Sequence, residues 1–499
     1  MSRVRPLALS RDEFRAAGHR LVDQLSDLLE SVPRRPVTPG ERPSEVRAAL
    51  GLGASLPENG SDAQTLLAET ANLLFDHSLF NGHPRFWGYI TSSPAPIGMF
   101  ADLLAAAANP NVGGWTLSPA ASEIEVETVR WIAQFIGFPE TCGGVLVSGG
   151  NMANFIGFFA ARVAKAPWAL QKEGISPAGK GRLRAYASKE THTWIQKAAD
   201  LAGLGTDAVR WIETDAALRM RVDLLERQVA ADRAAGDLPF LVVGTGGSVS
   251  TGAVDPLPEI AAFCRRENLW FHVDGAYGGF AAAVPEAPDA LRALSEADSV
   301  AIDPHKWLYA PLEAGCALVR DPEIHRAAFS YHPPYYHFEE KSVNFVDYGM
   351  QNSRGFRALK VWLAFRHAGA SGYRRMISDD IRLTGVMEEA VRRHGSFEVM
   401  TRDLSILTFR YVPADLRDRR GEVEAERYLS ELNQALLDDL QRGGELFVSN
   451  AVIEGRYVLR ACIVNFNTTE EDVTALPEIV ARRGAEVDRG LRAGGKGPR

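Results

Sequence analysis

Two short motifs contain residues whose types and spacing could do chemistry together. Asp274 lies in the first motif and Lys306 in the second, 32 residues later, and each motif follows a short apolar run that predicts a buried strand. A lysine amine can hold pyridoxal 5′-phosphate (PLP) as a Schiff base, and an aspartate can pair with the protonated nitrogen of the pyridine ring. The two residues therefore predict a PLP site at the ends of two strands.

A glycine-rich turn provides a candidate site for the phosphate group. Gly149 and Gly150 follow the apolar residues 145–147 and open a helical pattern. Glycines let the backbone approach an oxyanion, and free N–H groups at the start of a helix bind phosphate. The turn is not a P-loop, because no Gly-Lys-Ser/Thr sequence follows it. A second glycine cluster, residues 244–248, lacks the third glycine of a dinucleotide-binding fingerprint.

The elements that must position these residues alternate along the chain. From about residue 96 to residue 369, short apolar runs are each followed by a turn or a helical pattern, which predicts a mostly parallel sheet covered on both faces. Ligands of such sheets bind beyond the carboxyl ends of the strands, where the motifs fall. After about residue 370 the pattern changes to that of a smaller α+β domain, with one of its strands predicted over residues 446–448.

A chain of 499 residues exceeds one ordinary core, and we divide it into three parts. Residues 1–95 are predicted to be a helical segment, in which Ser10 and Glu13 have the spacing of a capping box. Residues 96–369 are predicted to form a large PLP-binding domain, and residues 370–499 a small C-terminal α+β domain.

The motifs Asp274-x-Ala276 and His305-Lys306-Trp307 resemble those of the PLP-dependent group II amino acid decarboxylases. That family includes the aromatic L-amino acid, histidine and glutamate decarboxylases, and the resemblance extends from about Phe14 to about Val473. It implies the aspartate aminotransferase-like α/β fold of fold type I, with a mostly parallel seven-stranded sheet in the large domain. It also implies a homodimer in which the N-terminal segment packs on the partner subunit; a helical flap on its own monomer is the alternative.

The resemblance implies the roles of the residues around the cofactor. Lys306 would carry PLP, Asp274 would pair with the ring nitrogen, and His192 would stack on the ring opposite Ala276. Asp303 stands where animal members often have Asn, and its role is left open. The full predicted set of cofactor-binding residues is Asn151, Met152, His192, Ser248, Asp274, Ala276, Asp303, His305 and Lys306.

A tyrosine in a mobile loop is implied to return a proton to the substrate after CO2 leaves. Alignment places it at Tyr335, with Tyr336 as the fallback, and a decorated surface loop is the alternative reading of this stretch. Related aldehyde synthases replace this tyrosine by phenylalanine, or the stacking histidine by asparagine. Since the chain has both Tyr335 and His192, decarboxylation is favoured over aldehyde synthesis. The predicted catalytic residues are Lys306, His192, Tyr335 and Asp274.

The predicted function is decarboxylation of an aromatic or bulky L-amino acid to an amine and CO2. The predicted substrate-binding residues are Asn81, Tyr89, Ile90, Thr91, Ser92, Asn111, Gly113 and Ser353, with Asn111 and Gly113 contributed by the partner subunit. Several of them are smaller or more polar than in animal aromatic decarboxylases, and they do not rank the substrates. Two alternatives stay open: a decarboxylating aldehyde synthase and a non-catalytic PLP-fold binding subunit. A carbon–carbon lyase acting on a phosphorylated amine shares the fold, but Tyr335 and the pocket segment at residues 83–89 argue against it.

Composition excludes some other classes of function. The net charge of −8 does not favour nucleic acid or an anionic membrane as a partner. The four cysteines are far apart and have no metal-ligand spacing, so we expect no metal site and a reducing cytoplasm. The charged N-terminus does not resemble a signal peptide.

Overall fold

The computed structural model of the protein describes residues 3, 5–175, 181–331, 342–495 and 497. Its first part is helical, with α1 (Arg11–Ser31), α2 (Pro43–Ala49) and α3 (Ala63–Asp76). The predicted capping box is present at the start of α1, because Glu13 N donates to Ser10 Oγ and Ser10 N donates to Glu13 Oε2.

A seven-stranded sheet with helices on both faces forms the largest part of the structure. Its elements are α4 (Pro96–Ala108), α5 (Pro119–Ile136), β1 (Gly143–Val147), α6 (Gly150–Lys165), α7 (Leu170–Glu173), β2 (Leu183–Ser188), α8 (Trp194–Leu201), β3 (Val209–Ile212), α9 (Val222–Ala234), β4 (Leu238–Thr245), α10 (Leu257–Glu267), β5 (Trp270–Asp274), β6 (Ser299–Ile302), β7 (Gly315–Val319), α11 (Pro322–Phe329) and α12 (Ala358–His394). The strand order is β1-β7-β6-β5-β4-β2-β3, and β7 runs antiparallel to both of its neighbours. The predicted mostly parallel seven-stranded sheet is confirmed.

Successive residues of a strand in this sheet can enter different cores, as β1 illustrates. In β1, Leu146 packs in one hydrophobic cluster, while Val145 and Val147 pack in another. Successive side chains of a strand point to opposite faces, so a sheet with helices on both sides requires continuous apolar strands. The runs that the sequence displays are therefore those of a sheet buried on both faces.

A second, four-stranded antiparallel sheet lies in the C-terminal part of the chain. Its elements are β8 (Phe397–Asp403), β9 (Ile406–Tyr411), α13 (Val423–Gly443), β10 (Ser449–Ile453), β11 (Arg456–Cys462) and α14 (Glu470–Ala493), in the strand order β10-β11-β9-β8. The strand predicted over residues 446–448 was placed wrongly, since β10 begins at Ser449. Residues 446–448 are buried and apolar, which resembles a strand in sequence, but β10 pairs with β11 only from Ser449 onward.

The long helix α12 crosses the predicted boundary between residues 369 and 370. Gly369 interrupts its helical geometry with a φ of 68°, a conformation that glycine adopts without steric cost. The division into three domains stays a prediction. Among the described residues, no helix combines the length and the apolar character needed to cross a bilayer.

Candidate active site

Adjacent strands bring the two predicted motifs to one edge of the large sheet. Asp274 is the last residue of β5, where it pairs with Thr245 of β4 and Ala301 of β6. Asp303 follows the end of β6, and Lys306 N donates a hydrogen bond to Asp303 O at 2.9 Å, which closes a turn. Both motifs therefore lie at the carboxyl ends of parallel strands.

A cavity of about 380 Å³ lies at this edge of the sheet. Lys306, Asp274 and His192 all line it, although they come from three separate segments of the chain. The other predicted site residues that line the cavity are Tyr89, Ile90, Asn151, Ala276, Asp303 and His305.

The Asp274 carboxylate is fixed by two donors. Trp194 Nε1 donates to Oδ2 at 2.7 Å, and Ala276 N donates to Oδ1 at 3.2 Å. Trp194 is the first residue of α8 and is fully buried. No local pattern predicted this indole as a partner of Asp274, because it lies 80 residues before that carboxylate.

The Lys306 amine forms an ion pair with Asp303, whose role the sequence left open. Lys306 Nζ lies 3.0 Å from Asp303 Oδ2, and His305 Nε2 lies 3.6 Å from the same oxygen. Asp303 is only 1% exposed, and its Oδ1 has no hydrogen-bond partner among the described residues. A buried carboxylate oxygen of this kind is costly unless it meets a donor.

Two histidines flank this pair, the buried His305 and the more exposed His192, and desolvation lowers the pKa of both. Ala314 N donates to His305 Nδ1 at 3.2 Å, so the neutral ring carries its proton on Nε2, which faces Asp303. Trp194 N donates to His192 Nδ1 at 3.3 Å. The neutral form of each ring is therefore favoured.

The glycine turn before α6 is packed too closely for side chains. A Cβ at Gly150 would lie 2.7 Å from Asp303 Oδ2 and 3.1 Å from Ala276 Cβ. Gly149 has a φ of 135° and lies against the ring of His305. The helix starts at Gly150, and the first N–H groups of a helix have no carbonyl partner within it. N–H groups in this position can hold an anion, and here they lie beside His305.

A hydrogen-bonded chain that the sequence analysis missed supports this turn. Asn154 Nδ2 donates to Gly150 O at 2.8 Å, and Asn154 Oδ1 lies 2.7 Å from His272 Nε2. His272 Nδ1 in turn lies 2.7 Å from Ser299 Oγ. Burial lowers the pKa of His272 to about 4, so the ring is neutral. The sequence contained one signal for this chain of hydrogen bonds. Asn154 lies one turn into a helical pattern, and an asparagine there can reach the backbone of the first turn.

Arg460 is a second residue that the sequence analysis missed. It lines the cavity from β11, and its Nη1 donates to Tyr89 O and to Ser449 Oγ, both at 3.0 Å. The residue is 2% exposed, and its Nε and Nη2 have no partner among the described residues. An arginine inside the apolar run of β11 was the signal that could have identified it.

The remaining predicted residues lie around the cavity or apart from it. Ser248 is buried beside the lining residues Gly247 and Val249, and its hydroxyl bonds with that of Thr251. Asn81 and Ser92 line a second cavity of about 370 Å³, and Ser92 Oγ donates to His305 O. Those that do not line the first cavity are Met152, Ser248, Asn81, Thr91, Ser92, Asn111, Gly113 and Ser353.

Asn111 and Gly113 lie on a segment that Arg354 fixes within the same chain. Asn111 Oδ1 accepts from Gly113 N and from Arg354 N. A Cβ at Gly113 would lie 2.0 Å from Asn352 O, so the close approach of two backbones requires glycine here. Ser353 is exposed. Tyr335 and Tyr336 lie outside the described residues.

The donor set of the cavity fits PLP. It contains an amine for the aldehyde, a fixed carboxylate for the ring nitrogen, and a helix start next to His305 for the phosphate. The described residues include no group of three or more histidine, cysteine, aspartate or glutamate side chains that could bind a metal ion.

A family model described as the pyridoxal-dependent decarboxylase conserved domain matches residues 43–412. The chain belongs to this family. It is 33% identical to an aromatic-L-amino-acid decarboxylase of Bacillus atrophaeus over 94% of both chains, and 28% identical to a phenylacetaldehyde synthase of a Rosa hybrid cultivar over 93% of this chain and 92% of that one. A crystal structure of Oryza sativa TDC with PLP and tryptamine has a TM-score of 0.88 and 30% identity, covering 97% of this chain and 99% of that one.

Membership of the family confirms three predictions made from the sequence. The protein is a PLP-dependent enzyme, a carboxy-lyase acting on an amino acid, and a member of fold type I. The roles of the individual site residues stay predictions, as do the dimer and the compartment.

Proposed function

We propose that the protein converts an aromatic L-amino acid to its amine and CO2, with Lys306, Asp274 and His192 as the central residues. The observation that carries this proposal is the shared cavity of these three side chains at the carboxyl ends of β5 and β6. Support for an aromatic substrate comes from the relatives, which include an aromatic-L-amino-acid decarboxylase and a structure with tryptamine.

Each of these residues has a defined task in the proposed reaction. PLP, when bound, supplies a ring that accepts the electron pair left at Cα when CO2 departs. Lys306, whose amine contacts Asp303 here, would hold the cofactor through its aldehyde. Asp274, oriented by Trp194, would keep a proton on the ring nitrogen. His192 and Ala276 line the cavity and would hold the ring, and the start of α6 would hold the phosphate.

Arg460 is proposed to receive the substrate carboxylate. Its Nη1 is used by Tyr89 O and Ser449 Oγ, and its buried Nε and Nη2 have no hydrogen-bond partner among the described residues. A carboxylate accepts two parallel hydrogen bonds from a guanidinium in fixed geometry. Arg460 therefore provides both charge complementarity and orientation for an amino acid.

The proton that replaces CO2 is proposed to come from Tyr335. A tyrosine hydroxyl in a closed, water-poor site returns a proton to Cα, and the product is then an amine. The phenylacetaldehyde synthase among the relatives makes aldehyde synthesis the second candidate function. His192 and Tyr335 together favour the amine.

The enzyme is proposed to act as a cytoplasmic homodimer with shared active sites. In the single chain, apolar side chains on α1 and α4 are more than half exposed: Phe14, Phe100, Leu103 and Leu104. A second copy that covers them would remove this apolar area from water. The partner subunit would supply its Asn111 and Gly113 segment to the cavity. The four cysteines are free thiols, which suits a reducing compartment.

A product screen tests the proposal. The purified enzyme with added PLP is incubated with each L-amino acid, and CO2, amine, aldehyde and hydrogen peroxide are measured. We expect CO2 and amine in equal amounts from an aromatic amino acid, and neither from Lys306→Ala. Aldehyde with hydrogen peroxide would establish the second candidate. CO2 release only from glutamate, histidine or another non-aromatic amino acid would refute the aromatic assignment.

A further inference from the structure

The residues that follow Lys306 share one buried acceptor on a distant helix. Trp307 Nε1 donates to Asp380 Oδ2 at 2.9 Å, and Tyr309 OH donates to the same oxygen at 2.7 Å. Asp380 lies on α12, 71 residues after Tyr309, and is 2% exposed. One carboxylate oxygen therefore fixes two side chains of the turn that carries the reactive lysine.

The backbone of this turn is strained at Tyr309. Its φ is 51°, in the left-handed region that residues with a Cβ seldom adopt. Tyr309 N donates to Lys306 O at 3.0 Å, and Ala95 N donates to Tyr309 O at 2.8 Å. A strained conformation persists only where its surroundings over-determine it, and here the bond to Asp380 contributes to that constraint.

Trp307 is also fixed on its ring face. The Tyr277 ring stacks on it with centroids 4.8 Å apart, and Tyr277 OH lies 2.7 Å from Ser405 Oγ beside β9. Tyr277 itself lines the cavity. The lysine turn is thus connected to α12 by Asp380 and to the four-stranded sheet by Tyr277.

A carboxylate held by neutral donors is costly to bury, and burial raises the pKa of Asp380 to about 7. Its hydrogen bonds come from an indole, a phenol and the backbone of Asn465. A residue selected for stability alone would be better served by a neutral side chain of similar size. This cost points to a positional role.

We propose that Asp380 is a positioning residue for Lys306: by binding Trp307 and Tyr309 together, it sets the direction in which the lysine amine enters the cavity. The inference rests on the proposed function, because Lys306 is taken as the cofactor-bearing lysine. Asp380 acts through the turn and does not touch the reacting atoms.

Tyr309→Phe is the main test, because it removes one hydroxyl and leaves the ring in place. Two quantities are measured: turnover, and the rate at which added PLP becomes linked to Lys306 in cofactor-free protein, followed by visible absorbance and borohydride trapping. We expect both to fall about fivefold, with KM changed by less than about twofold, because loss of one buried hydrogen bond misplaces the amine. The pH dependence of the visible band is expected to shift as well.

Tyr186→Phe is the matched control. Tyr186, on β2, donates from its OH to the buried Asp232 of α9 at 2.8 Å, and neither residue lines the cavity. The control is expected to lose stability while its linkage rate and turnover stay within about twofold of wild type, since no link to Lys306 is removed. If the linkage rate and turnover of Tyr309→Phe also stay within about twofold of wild type, the positioning role is refuted.

Asp380→Leu tests the acceptor itself. The double variant Asp380→Leu/Tyr309→Phe should link PLP to Lys306 no more slowly than Asp380→Leu alone, because both substitutions remove the bond between Tyr309 and Asp380. Fully additive losses would overturn the proposal. The linkage rate separates the two hypotheses. If the wild-type enzyme links PLP but releases no CO2, only the proposed function is refuted. If the wild-type enzyme releases CO2 and Tyr309→Phe has an unchanged linkage rate and turnover, only the positioning role is refuted.

Discussion

The amine of Lys306 lies 3.0 Å from Oδ2 of Asp303, in a cavity that also contains the carboxylate of Asp274. Asp274 receives the indole N–H of Trp194 and a backbone N–H instead. The two carboxylates therefore have different roles. Asp303 balances the charge of Lys306 in the absence of the cofactor, and Asp274 is held in a fixed orientation at the cavity.

Substituting the two carboxylates should change PLP affinity in opposite directions. Asp303→Asn removes the charge that competes for Lys306 and lies beside the phosphate site, so we expect tighter PLP binding, by up to about tenfold. Asp274→Asn removes the partner of the ring nitrogen, so we expect weaker binding and a large loss of turnover. Titration of cofactor-free protein with PLP measures both. Equal weakening in the two variants would contradict this division of roles.

Trp194→Phe should impair catalysis by releasing the Asp274 carboxylate. The phenyl ring keeps most of the packing but cannot donate to Oδ2, and we expect turnover to fall about fivefold or more. Trp87→Phe is the matched control, since it removes a buried indole bond to Thr468, and neither residue lines the cavity. Similar kinetics in the two variants would show that the loss comes from packing and not from Asp274.

Arg460→Lys should raise KM more than it lowers kcat. A lysine keeps the positive charge but lacks the two parallel donors that orient a carboxylate, so we expect KM to rise about tenfold. Ser449→Ala, which removes a hydroxyl that accepts from Nη1 and from Tyr89 N but leaves the guanidinium in place, should have a smaller effect. A KM unchanged in Arg460→Lys would exclude a contact between this residue and the substrate.

Tyr335→Phe should divert the product from amine to aldehyde. Without the phenol, the carbanion at Cα is not protonated efficiently, and reaction with oxygen competes. Amine, aldehyde and hydrogen peroxide are quantified for this variant and for Tyr336→Phe. An unchanged amine yield in Tyr335→Phe, with a loss in Tyr336→Phe, would transfer the role to Tyr336.

The contribution of His272 to the stability of the cofactor-free protein should fall as the pH is lowered from about 6.5 toward 4. The pKa of His272 is about 4 in the folded protein against 6.5 for an ordinary histidine, so in this window only the unfolded chain takes up the proton. The stabilisation is fully present above pH 6.5 and is lost at up to about 1.4 kcal/mol per pH unit. Urea unfolding of the wild type and of His272→Gln at several pH values measures this contribution as the difference between their free energies of unfolding.

Two histidine variants separate this effect from cofactor binding. His325 is also buried, with a pKa of about 4, but it does not line the cavity. His272→Gln and His325→Gln should each remove that histidine's own part of the pH dependence, measured as a difference in free energy of unfolding from the wild type that changes between pH 6.5 and 4. PLP binding should weaken only in His272→Gln, because this variant loses the bond to Asn154 below the glycine turn. An unchanged slope in both variants would contradict the assignment.

Much of the fold was predictable because its signals are local. The capping box at Ser10 depends on residues three apart, and the strands β5 and β6 appear as apolar runs ending in polar motifs. β7 was not recognised as a separate run, because Gly315–Val319 is short and rich in small residues. The start of β10 was misplaced by three residues, since register depends on the partner strand and not on hydrophobicity alone.

The sequence by itself determined the chemistry: a lysine, an aspartate and a glycine turn, each at the end of a strand, whose types and order along the chain specify a PLP enzyme. Only the tertiary structure decided which partners these residues have. Asp303 faces Lys306, Trp194 binds Asp274, Asp380 binds the residues after the lysine, and Arg460 enters the cavity from the other sheet. Most of these contacts join residues 70 or more positions apart. Distance along the chain carries no information about such pairs, because hydrogen bonds and charge depend on separations in space that exist only after the chain has folded.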